Sequence, residues 1–171
     1  MLLESLRRTG RVLVTAGLVA LAAPVLAAPA QADAPVLAVR GLIAAPRGAD
    51  GVELTLAALQ RLPQHSFATS TPWTRGPNTY SGPLLRDVLD LVKANGHQLK
   101  AAALNDYTVT IPVEDARRFG VILALQVDGK PIPVRERGPL FVIYPFDQEA
   151  RLRTPLFYSR AIWQLKSLRV E

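Results

Sequence analysis

Three short segments gather the side chains best suited to chemistry. Trp73 and Arg75 share one, Asn105-Asp106-Tyr107 form a second, and Arg135 and Arg137 flank Glu136 in a third. An indole, a phenol and guanidinium groups suit the holding of a planar or anionic ligand. Singly, each has a plainer explanation: packing at a core edge for Trp73 and Tyr107, a solvated loop face for Arg135 and Arg137. The familiar catalytic arrangements are absent. His65 and His97 lie far apart, in no metal-binding spacing, and read as exposed loop histidines. No G-x-S-x-G elbow, G-x-G-x-x-G or P-loop occurs. Glu114 and Asp115 are adjacent, so on a helix they point apart, and favourable charge in a first turn explains them better than acid/base work. Cysteine is absent, so neither thiolate metal ligands nor disulfides are available.

The elements that must position these segments centre on Val121 to Phe146. Val121 to Leu125 and Leu140 to Tyr144 are apolar without alternation, which predicts strands covered on both faces. Between them Asp128-Gly129 predicts a tight hairpin, and a proline-bracketed basic loop runs from Lys130 to Gly138. Upstream, Val36 to Ile43 is extended and Pro46 to Gly51 is turn-rich. Val52-Glu53-Leu54 is a short strand, and Thr55 caps a brief helix, Leu56 to Leu62, stopped by Pro63. Ser66 to Ser70 is a strand leading into a loop, Thr71 to Asn78. Tyr80-Ser81-Gly82 approaches a helix that starts at Pro83, carries Leu84, Leu85, Val88, Leu89 and Val92 on one face, and closes at Asn95-Gly96. Gln98 to Leu104 and Tyr107 to Ile111 are strands about a turn at Asn105-Asp106, and Pro112 to Phe119 is a short helix. Asp147 to Pro155 is a polar connection, and Ile162 to Val170 a closing strand. The sum is an α+β domain, mostly β with short helices.

With 171 residues and 49% hydrophobic composition the chain supports one domain with a real core. Arg7, Arg8 and Arg11, the apolar run Val12 to Leu26, and Ala30-Gln31-Ala32 predict a signal peptide over 1–32, leaving a domain over 33–171. The run is short for a bilayer and broken by Pro24, so no stable membrane anchor is expected after cleavage near Ala32. Arg7-Arg8 fits a twin-arginine signal only weakly, because Thr9-Gly10-Arg11 follows it. The expected location is periplasmic or secreted. The remaining domain holds 17 basic and 13 acidic residues, net +4, scattered without a Lys/Arg block, so no nucleic-acid surface is indicated.

Taken in order, these pieces resemble a known family. Trp73 with Tyr80-Ser81-Gly82-Pro83-Leu84-Leu85-Arg86-Asp87 resembles the W…W-x-G-x-P-L-x-D-L-L segment of the sulfite-oxidase-type molybdopterin-binding domain. Asn105-Asp106-Tyr107-Thr108-Val109-Thr110-Ile111-Pro112 with Asp115-Ala116 resembles its D-G-Y-x-x-S-I-P-L-x-x-A. Leu123-Ala124, Asp128-Gly129-Lys130-Pro131-Ile132-Pro133, Gly138-Pro139-Leu140 and Val142-Ile143-Tyr144-Pro145 resemble L-L-A-Y-x-x-N-G-x-P-L-P-x-x-H-G-x-P-L-R-L-V-V-P. Trp163 with Lys166 to Val170 is similar to the closing K-W-V-x-x-I strand.

The resemblance implies that fold, and molybdopterin as the cofactor. It places Thr69, Trp73, Asn105, Asp106 and Arg137 at the cofactor and Tyr107 at the catalytic tyrosine. It also exposes departures. The family's molybdenum-ligating cysteine, four residues before the tryptophan, falls at Thr69. Its phosphate-side loop histidine falls at Arg137, and a basic residue before the closing tryptophan falls at Ile162. Molybdenum needs a soft thiolate, which threonine does not supply. Two readings follow. One is a non-catalytic module that holds a small anionic or pterin-like ligand, or an exported or membrane partner protein, in the inherited pocket. The other is a sulfite-oxidase-type oxidoreductase using the pocket around Tyr107 and Arg137.

Overall fold

Alternating apolar residues build the larger sheet. In β1 (Pro35–Gly41) Leu37 and Val39 are buried, in β2 (Val52–Thr55) Val52 and Leu54, and in β5 (Gln98–Ala103) Leu99, Ala101 and Ala103. With β6 (Thr108–Pro112) and β11 (Leu165–Val170) they form a five-stranded sheet in the order β2-β1-β11-β5-β6. β1 lies parallel to β11 and the other neighbours are antiparallel. This computed structural model describes residues 34–44 and 51–171. The expected signal peptide and its cleavage position, and all of the turn-rich piece but Gly51, lie outside the described residues.

A second, antiparallel sheet has the order β3-β4-β8-β9, from β3 (Gln64–Ser70), β4 (Pro77–Pro83), β8 (Gln126–Val127) and β9 (Lys130–Pro131). Asp128 (φ 49) and Gly129 (φ 74) make its two-residue turn, both in the left-handed region that such hairpins need. The Asp128 carboxylate accepts bonds from the Thr79 N–H and Asn78 Nδ2, each at 2.8 Å, which ties the hairpin to β4. The Thr79 bond, followed by the Asn78 bond, holds Asp128 below its ordinary carboxylate pKa.

The two unalternated runs become β7 (Ile122–Ala124) and β10 (Phe141–Ile143), which pair with each other and are buried at every residue. β7 lies closely against β4. The Leu125 N–H donates to Ser81 O and the Leu85 N–H to Val121 O, both at 2.8 Å. Gly82 lies so near this seam that a Cβ there would overlap the Leu123 carbonyl.

Among the described residues, four short helices complete the fold. Thr55 Oγ1 accepts from Ala58 N at 3.1 Å and caps α1 (Leu56–Gln60), as its sequence predicts. α2 (Leu85–Leu91) buries Leu85, Val88 and Leu89. Pro83 is not its first residue but the last of β4, so Tyr80-Ser81-Gly82 is strand rather than a helix approach. α2 ends not at Asn95-Gly96 but at Leu91, and Lys93, just past its Val92 cap, takes the left-handed conformation at φ 51. His65 is exposed, as expected, but stands on β3 instead of a loop. α3 spans Val113–Arg118. A 3-10 turn at Ala150–Leu152 lies within the expected polar connection, Asp147 to Pro155, and α4 (Pro155–Arg160) starts at its end. The fold is α+β and mostly β. Among the described residues no helix is long and apolar enough to cross a membrane.

Candidate functional site

The loop after β3, the β5–β6 turn, α4 and the entry to β11 converge on a pocket of about 590 Å3. Pro72 and Trp73 come from the first, Ala103, Asn105 and Tyr107 from the second. Pro155, Tyr158 and Ser159 come from α4, and Ala161, Ile162 and Trp163 from the segment that follows. None of these side chains is charged. The size is that of pockets taking small organic ligands.

The rings brace one another. Trp73 meets Trp163 at 5.3 Å between centroids and 81° between planes, and meets Tyr158 at 6.0 Å and 79°. Edge-to-face contacts of this kind are attractive and fix ring orientation. The β5–β6 turn is set by backbone bonds from Ala103 N to Tyr107 O and from Asp106 N to Ala103 O. Asn105 Oδ1 accepts from the Tyr107 N–H at 3.2 Å, and Asp106 sits at φ 65.

α4 is fastened from behind. Asp115 of α3 is buried, and its Oδ2 accepts from Arg160 Nη1 and from the Tyr144 hydroxyl, each at 2.9 Å. Asp115 stands in the first turn of α3, as the sequence predicts, and is also a core acceptor. Burial, and then the Asp115 charge, push the Tyr144 phenol well above its ordinary pKa, so it stays a donor.

Of the residues expected at one site, Trp73, Asn105 and Tyr107 do meet. Asp106 does not: it is exposed and paired with Lys166, whose hydrogen bond and charge hold its carboxyl below the usual range. Arg137 lies behind the pocket wall. Its Nη2 donates to Trp73 O at 3.2 Å, and its guanidinium stands 5.8 Å from the Trp163 ring centre. It lines a separate cleft of about 270 Å3, shared with Asp128 and Glu136. Thr69 is wholly buried and faces neither space; its Oγ1 accepts from the Asp147 N–H at 3.1 Å. Arg75 and Arg135 are exposed and line neither pocket nor cleft. Tyr158 and Ser159 are not foreseen at all. Thr154-Pro155, with proline at the first helical position, is the signal that points to α4.

Residues 26–148 match the family described as oxidoreductase molybdopterin binding domain. The chain belongs to that family. Among solved structures, the sulfane dehydrogenase SoxCD from Paracoccus pantotrophus is similar at a TM-score of 0.61 and 17% identity. The likeness covers 84% of this chain and 39% of that one, so the molybdopterin-binding domain described here spans well under half of that protein. No curated protein matches the chain.

The family name implies molybdopterin, and the residues present can be tested against it. The Thr69 hydroxyl is a hard, weakly acidic donor already bonded to Asp147, and it does not substitute for a thiolate on molybdenum. Among the described residues no group of three His, Cys, Asp or Glu side chains gathers to hold a metal. Arg137 uses one N–H on the Trp73 carbonyl and shares its cleft with two carboxylates, a poor setting for a phosphate. The residues of this molybdopterin-binding domain do not fit a protein-ligated molybdenum centre.

Thr69 instead closes a structural clamp. Asp147 Oδ2 accepts from the Ser70 N–H at 2.7 Å, and its Oδ1 accepts from Arg153 Nη2 at 2.9 Å. The clamp sets the end of β3 just before Pro72 and Trp73. Thr69→Val, which keeps the shape and removes the acceptor, is expected to cost about 1–3 kcal/mol by leaving the Asp147 N–H unsatisfied. Urea unfolding measures this, and no loss would show that the bond contributes nothing.

Proposed function

We propose that this protein is an exported, non-catalytic ligand-binding module that uses the pocket between Trp73, the Asn105–Tyr107 turn and α4. The carrying observation is Thr69. At the position of the family's metal-ligating cysteine stands a buried hydroxyl already engaged in holding the backbone at Asp147. A second support is the separation of Tyr107 from Arg137. The oxidoreductase reading needs both at one space, yet Tyr107 borders the aromatic pocket and Arg137 the cleft behind it. Export rests on the N-terminal sequence pattern of residues 1–32.

Metal and pterin content of the protein, purified from the compartment to which its own host delivers it, tests the reading. The expected result is neither molybdenum nor oxidised-pterin fluorescence after acid release. Stoichiometric molybdenum would overturn the proposal and restore the oxidoreductase reading.

A further inference from the structure

Building on the ligand-binding reading, we infer that the pocket selects an uncharged, planar heteroaromatic ligand, stacked among Trp73, Tyr158 and Trp163 and hydrogen-bonded by Asn105.

The electrostatics point this way first. Among the described residues no charged side chain lines the pocket, and the ionic groups around it are engaged elsewhere. Arg160 is held by Asp115, Lys166 by Asp106, and Arg137 by the Trp73 carbonyl. A phosphate or carboxylate entering here would lose water without gaining a counter-charge, and so would an ammonium group. The aromatic walls do not rescue a cation either. Arg137 already lies against the Trp163 ring, and a second positive charge at that ring would meet it at close range.

The shape and the open polar groups point the same way. Trp73, Tyr158 and Trp163 are each only partly buried, and near-perpendicular contacts fix their planes before any ligand arrives. Preformed ring walls favour stacking on a flat partner, because little side-chain freedom is lost on binding. Among the described residues the Tyr158 hydroxyl makes no hydrogen bond, and neither do the two indole N–H groups. Asn105 spends its Oδ1 on the Tyr107 N–H, which leaves its Nδ2 as a donor. The pocket therefore offers chiefly donors, and its ligand should carry acceptors such as a ring nitrogen or a carbonyl oxygen. Tyr158 and Trp163 lie beyond the family match at 26–148, whereas Trp73 and Asn105 lie within it.

A charge series on one ring tests the inference: quinoline, N-methylquinolinium and quinoline-2-carboxylate, titrated into the purified protein by tryptophan fluorescence and calorimetry. Quinoline is expected to bind at least tenfold more tightly than either charged analogue. Asn105→Asp keeps the acceptor for the Tyr107 N–H but removes the donor, and should weaken quinoline at least fivefold with unchanged circular dichroism. Trp163→Ala should abolish binding. Should Trp163→Ala fail to fold, Asn105→Asp and the charge series still decide the matter. Tighter binding of either charged analogue overturns the choice of an uncharged ligand and leaves the ligand-binding module standing. Binding of none of the three overturns both.

Discussion

Replacing Asp115 with alanine is expected to destabilise the protein by about 3–5 kcal/mol, the usual cost of breaking a buried ion pair from one side. Its side chain is only 8% exposed and that of Arg160 16%, so neither partner can recover its loss from bulk water. The variant would strand the Arg160 guanidinium, whose Nε already lacks a hydrogen bond among the described residues, together with the Tyr144 hydroxyl. Because Arg160 is the last residue of α4, the pocket wall should loosen with it, and quinoline binding should fall in parallel with stability. Asp115→Ala combined with Arg160→Met should recover most of the loss, because the uncompensated charge is then gone. Urea unfolding of the single and double variants gives both numbers. A single-variant cost under about 1 kcal/mol would mean that something other than this network holds α4.

Gly82→Ala is expected to be nearly as damaging, at about 3 kcal/mol, for a steric reason. The added methyl would overlap the carbonyl oxygen of Leu123, a backbone atom at the centre of a strand buried on all sides. Neither strand can retreat cheaply. β4 is fixed by the Leu125-to-Ser81 bond on one side and by seven registered partners in β3 on the other. Gly76→Ala is the control. Its Cβ would meet open space, so only the left-handed φ of 73° opposes it, at a cost of about 1–2 kcal/mol. Equal losses in the two variants, measured by thermal and denaturant unfolding, would show that the close approach of β4 to β7 is not what makes Gly82 necessary.

How legible these features were in the sequence depended on whether their causes were local. Thr55 as a cap, the Asp128-Gly129 turn, the helical spacing of Leu85, Val88 and Leu89, and the two unalternated apolar runs are all set by neighbouring residues. β4 was not legible. Pro77-Asn78-Thr79-Tyr80-Ser81-Gly82-Pro83 has the composition of a turn, and it is a strand only because β3 and β8 bond to it from both sides. α4 is six residues long with no fully buried side chain, too short for an amphipathic period to register. The site divides likewise. Trp73, Asn105 and Tyr107 were visible as chemically suited side chains on presumed loops. Asp106 and Arg137 looked equally suited, but their partners Lys166 and Trp73 lie 60 and 64 residues away in the chain. Asp115 is the first-turn charge the sequence shows, but its second role was hidden because Arg160 lies 45 residues further on.

The parallel pairing of β1 with β11 sets an order of assembly. Ala38 lies opposite Ser167 and Gly41 opposite Val170, so the middle of the larger sheet joins the earliest and latest described strands. β5 reaches β1 only through β11. While the chain is being synthesised, β1 has β2 beside it but no second neighbour, and β5 has β6 but nothing on its other edge. The sheet closes only when the last strand arrives, and contacts this distant in sequence form slowly. The nascent polypeptide thus lacks its larger sheet until translation of this region is complete.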